Sequence, residues 1–362
     1  MRSLVRPAEA IATSDLACED DTILVTGANG FIGARVVRLL VSRGFTRVRC
    51  LTRSPQHSAP FADVVAEQNV NGHRLELITG NLLSRRTCEV AMDRVSVVYH
   101  LAAGVEKSFP GCFLNSVVST RNLLDAALDT PSLKRFVNIG SLAVYSNEKL
   151  RRGAVIDETS DIDGRLVERH DAYAYGKAKQ DELVLRYGAR GLPYVLVRPG
   201  ITFGPGKAKI PGRVGIDTFG IFLHLGLGNI MPLTYVDNCA EAIILAGLTS
   251  GIDGEVINIV DDDLPRSREF LREYKRHVRR FASLPVPYPV FYMFNSLWER
   301  YSHWSEGQLP PVFNRRTCAA YFKGNAYSNQ RAKDLLGWSP RVPMSEALQR
   351  FFRWARARDG RT

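Results

Sequence analysis

The chain has 362 residues, 45% hydrophobic and 23% charged, which is long enough to bury a sizeable core as one large domain or a domain with a smaller lobe. Its six cysteines are scattered, without a Cys-x-x-Cys pair or a histidine cluster, which excludes a zinc ribbon and a disulfide framework and suits the reduced thiols of a cytoplasmic protein. The net charge of +11 comes with no nucleic-acid-binding module, so it reads as a solvated basic surface, and no apolar run is long enough for a membrane span.

Residues 1–21 read as a poorly ordered lead-in, and Glu9, Asp15, Glu19 and Asp20 make it a poor signal peptide. Then Thr22–Thr26 forms a short β-branched run. It enters Gly27-Ala28-Asn29-Gly30-Phe31-Ile32-Gly33 and passes straight into a helical pattern over 34–41. Strand, glycine turn and helix together predict a dinucleotide-binding unit. Gly27, Gly30 and Gly33 allow a tight turn, close approach of a pyrophosphate and helix-on-strand packing, with Phe31 and Ile32 at the helix entrance.

Arg47–Thr52 is the second strand, and its end identifies the cofactor. An acid there binds the ribose hydroxyls of NAD, whereas an arginine accepts the 2′-phosphate of NADP. Arg53 follows and no acid does, which points to NADP(H), with NAD(H) as the weaker option. Strand three covers 75–78 and leads to Asn81 and Leu82. The apolar run 95–101 ends in His100-Leu101-Ala102-Ala103-Gly104, small residues against which a flat ring can lie. Helical periodicity spans 116–128, and Arg135–Ile139 is strand five, ending at Ser141. Alternating strands and helices predict an α/β fold with a parallel sheet and a ligand at its carboxyl edge.

The segment Tyr173-Ala174-Tyr175-Gly176-Lys177-Ala178-Lys179 opens a helix reaching about Tyr187. A tyrosine and a lysine four residues apart share one helix face, where an ammonium favours the phenolate and draws the tyrosine pKa toward working pH. Such a phenol exchanges protons with a substrate oxygen.

These motifs, with Arg198-Pro199-Gly200-Ile201, Thr234-Tyr235-Val236-Asp237-Asn238 and the segment 329–340, resemble the extended short-chain dehydrogenase/reductases over residues 22–356. The resemblance covers the NAD-dependent epimerase/dehydratase superfamily and is nearest in motif to its 3β-hydroxysteroid dehydrogenase-like branch. It implies a Rossmann-type doubly wound sheet of about seven strands over 22–200. It also implies a small C-terminal substrate lobe over 201–362, from which 234–260 returns to the sheet. Two overlapping pairs satisfy the spacing, Tyr173–Lys177 and Tyr175–Lys179, and about 200° of helix separates them, so they cannot share one site. The family register selects Tyr175 as acid/base and Lys179 as its ribose-binding partner, with Ser141 orienting the substrate oxygen. The same resemblance places Gly27, Gly30, Phe31, Ile32, Gly33, Arg53, Asn81, Leu82, Leu101, Ala102, Ala103, Pro199 and Ile201 on the cofactor, expects no metal, and implies a homodimer.

Departures narrow the substrate. Ser141-Leu142-Ala143 stands where sugar-nucleotide dehydratases carry Thr-Asp-Glu, and no basic residue precedes Val236-Asp237 to bind a sugar-nucleotide diphosphate. Asp237 reads as a helix cap. The aromatic stretch 284–304 either lines an apolar pocket, packs the lobe or rests peripherally on a membrane, and its three prolines predict no helix before about Val290. The expected activity is interconversion of a secondary alcohol and a ketone on a hydrophobic or sterol-like small molecule. A nucleoside-diphosphate-sugar epimerase or reductase is the alternative, and a non-catalytic NADP sensor the rival of another class.

Overall fold

A computed structural model describes residues 16–54, 74–106, 108–207, 210–218, 220–306, 308 and 314–359. Most of the expected N-terminal lead-in, residues 1–15, therefore lies outside the described residues. Seven strands form the main sheet: β1 (Thr22–Thr26), β2 (Arg47–Thr52), β3 (Arg74–Thr79), β4 (Val97–His100), β5 (Arg135–Ile139), β6 (Tyr194–Pro199) and β7 (Val256–Ile259). All neighbours pair in parallel, in the order β7-β6-β5-β4-β1-β2-β3.

The alternation of side chains along each strand builds a layer on each face. On one side Ile23, Val25, Val97 and Tyr99 pack with α1 (Gly33–Ser42) and the helix Val236–Leu248; on the other Leu24, Val98 and Phe136 pack with the helices Arg85–Met92, Ser119–Leu128 and Ala172–Gly188. Both layers are apolar because parallel strands here face helices on both sides and water on neither. The chain leaves β1 toward α1 on the first face and leaves β4 toward the helices of the second, and this divergence opens a crevice above the carboxyl ends of β1 and β4.

Residues beyond β6 supply both the far edge of the sheet and a smaller lobe. β7 and the helix Val236–Leu248 join the main sheet. The lobe holds a three-stranded sheet of Gly215–Thr218, Ile221–Leu225 and Ser283–Val286 with the helices Ser267–His277, Tyr288–Trp304, Arg315–Phe322 and Met344–Asp359. Its core is aromatic: Phe203, Tyr235, Phe270, Tyr274, Phe351 and Phe352 pack together.

Three local readings are corrected. The helix Tyr288–Trp304 begins two residues before Val290, because Pro289 sits in the first turn, where a missing N–H costs nothing. Asp237 does not cap its helix, whose N-cap is Tyr235; it lies in the first turn and pairs with Arg35 of α1 at 3.4 Å. The helix expected over 116–128 starts earlier, at Phe109, and passes through a π-helical stretch, Phe113–Val118, before regular α geometry resumes.

Gly33 carries the junction of β1 and α1. A Cβ there would lie 2.2 Å from the Gly27 carbonyl oxygen, so backbone must move to admit it. Gly33→Ala is expected to destabilise the protein by about 1–3 kcal/mol, the cost of overpacking, outweighing the up to ~1 kcal/mol that alanine gains in a helix. Urea denaturation reads this directly, and an unchanged midpoint would refute the close approach.

Candidate active site

A cavity of about 800 Å³ runs along the carboxyl edge of the sheet into the lobe. At one end it is floored by the turn after β1. Gly27 has φ +66°, and a Cβ on it would sit 2.8 Å from the Ala102 nitrogen; Gly30 N–H donates to the Gly27 carbonyl at 2.9 Å. Gly30, Phe31, Ile32 and Gly33 continue the floor into α1, the positive end of whose dipole favours an anion there. Leu101, Ala103, Pro199 and Ile201 complete the walls from the ends of β4 and β6. This cradle, whose glycines are held so close to neighbouring backbone that a Cβ on Gly27 or Gly33 would distort it, fits the pyrophosphate and flat rings of a dinucleotide.

Other expected cofactor residues stand elsewhere. Leu82 is buried in the core beside Cys88 and Leu123. Asn81 is exposed and its side chain accepts from the Leu83 N–H at 3.0 Å, closing its own loop. Ala102 lies behind the glycine turn, its N–H on Thr26 Oγ1 at 3.3 Å. Arg53 is exposed just beyond the end of β2.

The tyrosine pair is the main correction. Tyr173 and Lys177 line the cavity together with Ser141; Tyr175 and Lys179 do not. The latter two lie on the outer side of the helix Ala172–Gly188, in a shallow surface depression with Phe113, Val117 and Arg121. There Tyr175 packs edge-on against Phe109 at 5.5 Å, and Lys179 pairs with Glu182 at 2.7 Å. The inward face is fixed by Asp181, two turns on from Tyr173, which pairs with Arg198 of β6 at 2.9 Å and accepts from Asn138 of β5 at 3.2 Å. With Asp181 held by two strands, helix geometry turns Tyr173 and Lys177 to the sheet and their neighbours at 175 and 179 away from it.

Ser141 reaches this position at the end of β5, its Oγ accepting from the Ala143 N–H at 3.2 Å, and it lines the cavity with Tyr173. Lys177 is buried. Its ammonium donates to the Ile139 carbonyl at 2.5 Å and to Gln180 Oε1 at 2.9 Å. Gln180 Nε2 donates in turn to Thr120 Oγ1 at 2.8 Å, and the two ring nitrogens of His100 meet Thr120 at 2.8 Å and Thr26 at 2.7 Å. A polar chain thus runs from the lysine to the end of β1. Gln180 and Thr120 carry no motif signal, and His100 appears in the sequence only as part of a small-residue run.

Burial governs the protonation states. It lowers the Lys177 ammonium to about 8, with the Asp181 carboxylate opposing, and drives His100 down to about 3, with the Lys177 charge adding to the effect. Burial raises the Tyr173 phenol to about 12, against the pull of the neighbouring Ser141 hydroxyl. The expected lowering of the tyrosine by its lysine is therefore reversed: in the protein alone the phenol is a neutral acid at physiological pH.

Toward the lobe the walls become apolar, with Ile210, Ile216, Phe270, Phe291, Phe322 and Phe351. The charged side chains facing the cavity among the described residues are Lys177, Lys207 and Arg213; no carboxylate does. Lys207 sits over the Phe31 ring at 5.9 Å, beside the glycine turn. Arg213 donates to the Tyr327 hydroxyl at 2.7 Å and lies over the Tyr321 ring at 5.1 Å. Among the described residues no cluster of three His, Cys, Asp or Glu side chains is placed to hold a metal.

Residues 23–259 match the family model described as the NAD dependent epimerase/dehydratase family. A 3β-hydroxysteroid-dehydrogenase/decarboxylase of Arabidopsis thaliana is 25% identical over 358 residues, which cover 90% of this chain and only 60% of that relative. A 3β-hydroxysteroid dehydrogenase/Δ5→4-isomerase of Mycobacterium tuberculosis is 24% identical, covering 92% of this chain and 90% of the relative. The UDP-glucuronic acid 4-epimerase of Bacillus cereus, solved with UDP-glucuronic acid and NAD, superposes with a TM-score of 0.69 at 20% identity over 93% of this chain and 99% of that one.

The buried lysine makes stability depend on pH. Its folded pKa, about 8, lies below the ordinary lysine value of 10.5. Below pH 8 both states hold the proton; between the two values the unfolded chain keeps a proton that the folded chain has released, so stability rises with pH across that window. Relative to Lys177→Met, the wild-type protein is expected to gain about 2–3 kcal/mol between pH 8 and pH 10. Urea titrations of both proteins at the two values test this; a constant difference would show that the ammonium is not desolvated.

Proposed function

The chain belongs to the NAD-dependent epimerase/dehydratase family and is an NAD(P)-dependent enzyme of the extended short-chain type; from that premise we propose that it interconverts a secondary alcohol and a ketone on a hydrophobic, sterol-like molecule. The observation that carries the reading is the placement of two hydroxyl side chains, Ser141 and Tyr173, in one cavity that is glycine-floored at one end and apolar at the other. When bound, a nicotinamide dinucleotide supplies or takes the hydride at the substrate carbon. In the reductive direction the neutral Tyr173 phenol gives its proton to the developing alkoxide, while the Ser141 hydroxyl steadies that oxygen. In oxidation the proton returns to Tyr173. Lys177, fixed by Ile139 and Gln180, holds positive charge four residues on from Tyr173 and is the residue that would hold the cofactor ribose. The names of the plant and mycobacterial relatives, both 3β-hydroxysteroid dehydrogenases, support the sterol-like substrate, as do the phenylalanines lining the lobe end.

NADP(H) is the proposed cofactor, because Arg53 closes β2 where an acid would select NAD. A homodimer formed through the outer helices is also proposed, supported by exposed Phe113 and Leu114 beside Tyr175. One observation favours a second reading, a nucleoside-diphosphate-sugar epimerase or reductase. Arg213 faces the substrate end without a carboxylate partner among the described residues, and would take the diphosphate for which the segment 229–235 offers no basic residue.

Assayed with NADPH against 3-ketosteroids and, separately, UDP-glucose and UDP-glucuronic acid, the enzyme is expected to reduce the ketones with net cofactor oxidation. Tyr173→Phe should lower kcat/KM by about 100- to 10,000-fold, and Tyr175→Phe should leave it unchanged. The reverse ranking would overturn the assignment, and sugar-nucleotide turnover without net cofactor change would select the second reading. In fluorescence titrations NADPH should bind more tightly than NADH, and Arg53→Ser should remove the difference; equal affinities in the wild type would contradict the NADP assignment.

A further inference from the structure

The helix Tyr288–Trp304 carries its largest apolar side chains on the wrong side for a packed lobe. Phe291 and Asn295 face inward and line the cavity. Val290, Met293, Phe294, Leu297, Tyr301 and Trp304 face water, with Met293 60%, Leu297 58% and Trp304 78% exposed. At 100° per residue these six fall within an arc of about 100°, one continuous stripe along the helix. Leu284, on the strand leading into the helix, is 55% exposed as well. A contiguous apolar face of this kind marks a binding surface.

We propose that this stripe docks on an anionic lipid bilayer, lying in the headgroup layer. Charge selects that occupant. Arg300 borders the stripe, Arg276 is exposed in the last turn of the helix Ser267–His277, and Arg280 is exposed in the segment between that helix and the strand Ser283–Val286; none of the three makes an ion pair among the described residues. Glu299, the acid on the helix, is already paired with Arg315 at 2.8 Å. The chain as a whole carries +11. A helix with a bulky apolar face, a terminal exposed tryptophan and flanking arginines has the composition of an interfacial helix. No described helix is long and apolar enough to cross a membrane, so the contact is peripheral. The inner side of the same helix lines the apolar end of the cavity, which therefore lies about one helix diameter, roughly 10 Å, from the lipid surface.

Co-sedimentation of the full chain with phosphatidylcholine/phosphatidylglycerol vesicles, and with phosphatidylcholine vesicles alone, tests the proposal. The wild type should pellet with the anionic vesicles and stay largely soluble with the neutral ones, with the emission of Trp304 shifting to shorter wavelength on binding. Met293→Asp/Leu297→Asp should lower the bound fraction about tenfold or more while melting temperature and NADPH affinity stay unchanged. Should the aspartates disturb folding, Leu297→Gln/Trp304→Ser provides the same comparison. Wild-type protein left in the supernatant, or variants that bind equally well, would overturn the proposal. So would sedimentation velocity showing a wild-type oligomer that these substitutions dissolve, because the stripe would then be a contact between copies of the chain.

Discussion

The arrangement of the site depends on burying one ammonium group. Lys177 is placed beneath the end of β5, where its charge survives only with good hydrogen-bond acceptors around it. The Ile139 carbonyl and Gln180 provide them, and Gln180 is held in turn through Thr120, His100 and Thr26 to the end of β1. The network joins β1, β4 and β5 with two helices at the edge of the sheet where the crevice opens. A single unsatisfied member would cost more than an apolar replacement of the whole, so such a chain specifies a unique geometry for the residues it supports.

That geometry divides the work between scaffold and lobe. On the proposed reading the sheet and its flanking helices hold the residues assigned to the dinucleotide and to proton transfer: the glycine turn, Ser141, and Tyr173 and Lys177 of the helix Ala172–Gly188. The lobe contributes apolar walls, Arg213 and the outward aromatic stripe, to which the proposals assign substrate and surface contacts. A fold built this way keeps its reaction while exchanging its substrates, in keeping with relatives whose names include both hydroxysteroid dehydrogenases and a sugar-nucleotide epimerase.

Much of this was legible in the sequence because it is local. The β-branched run into Gly27, the run ending at His100 and the strand ending at Ser141 each announce their element, and β2 and β5 fall on the residues read for them. The face of the tyrosine helix was not legible. Two Tyr-x-x-x-Lys pairs overlap, and the buried neighbours Leu183 and Val184 back one face each, so apolar spacing does not decide between them. The decision is made by Asp181 finding Arg198 and Asn138 on strands far away in sequence. The same holds for Leu82, drawn into the core, and for Asp237, captured by Arg35 and not by its own helix end.

The most direct measurement is a crystal structure of the protein with NADP+ bound. The nicotinamide ring should lie against Ser141 and Tyr173, with the ribose hydroxyls on Lys177 and the pyrophosphate over Gly30 and Phe31. A ring held beside Tyr175 and Lys179, or a dinucleotide seated away from the β1–α1 turn, would contradict the account.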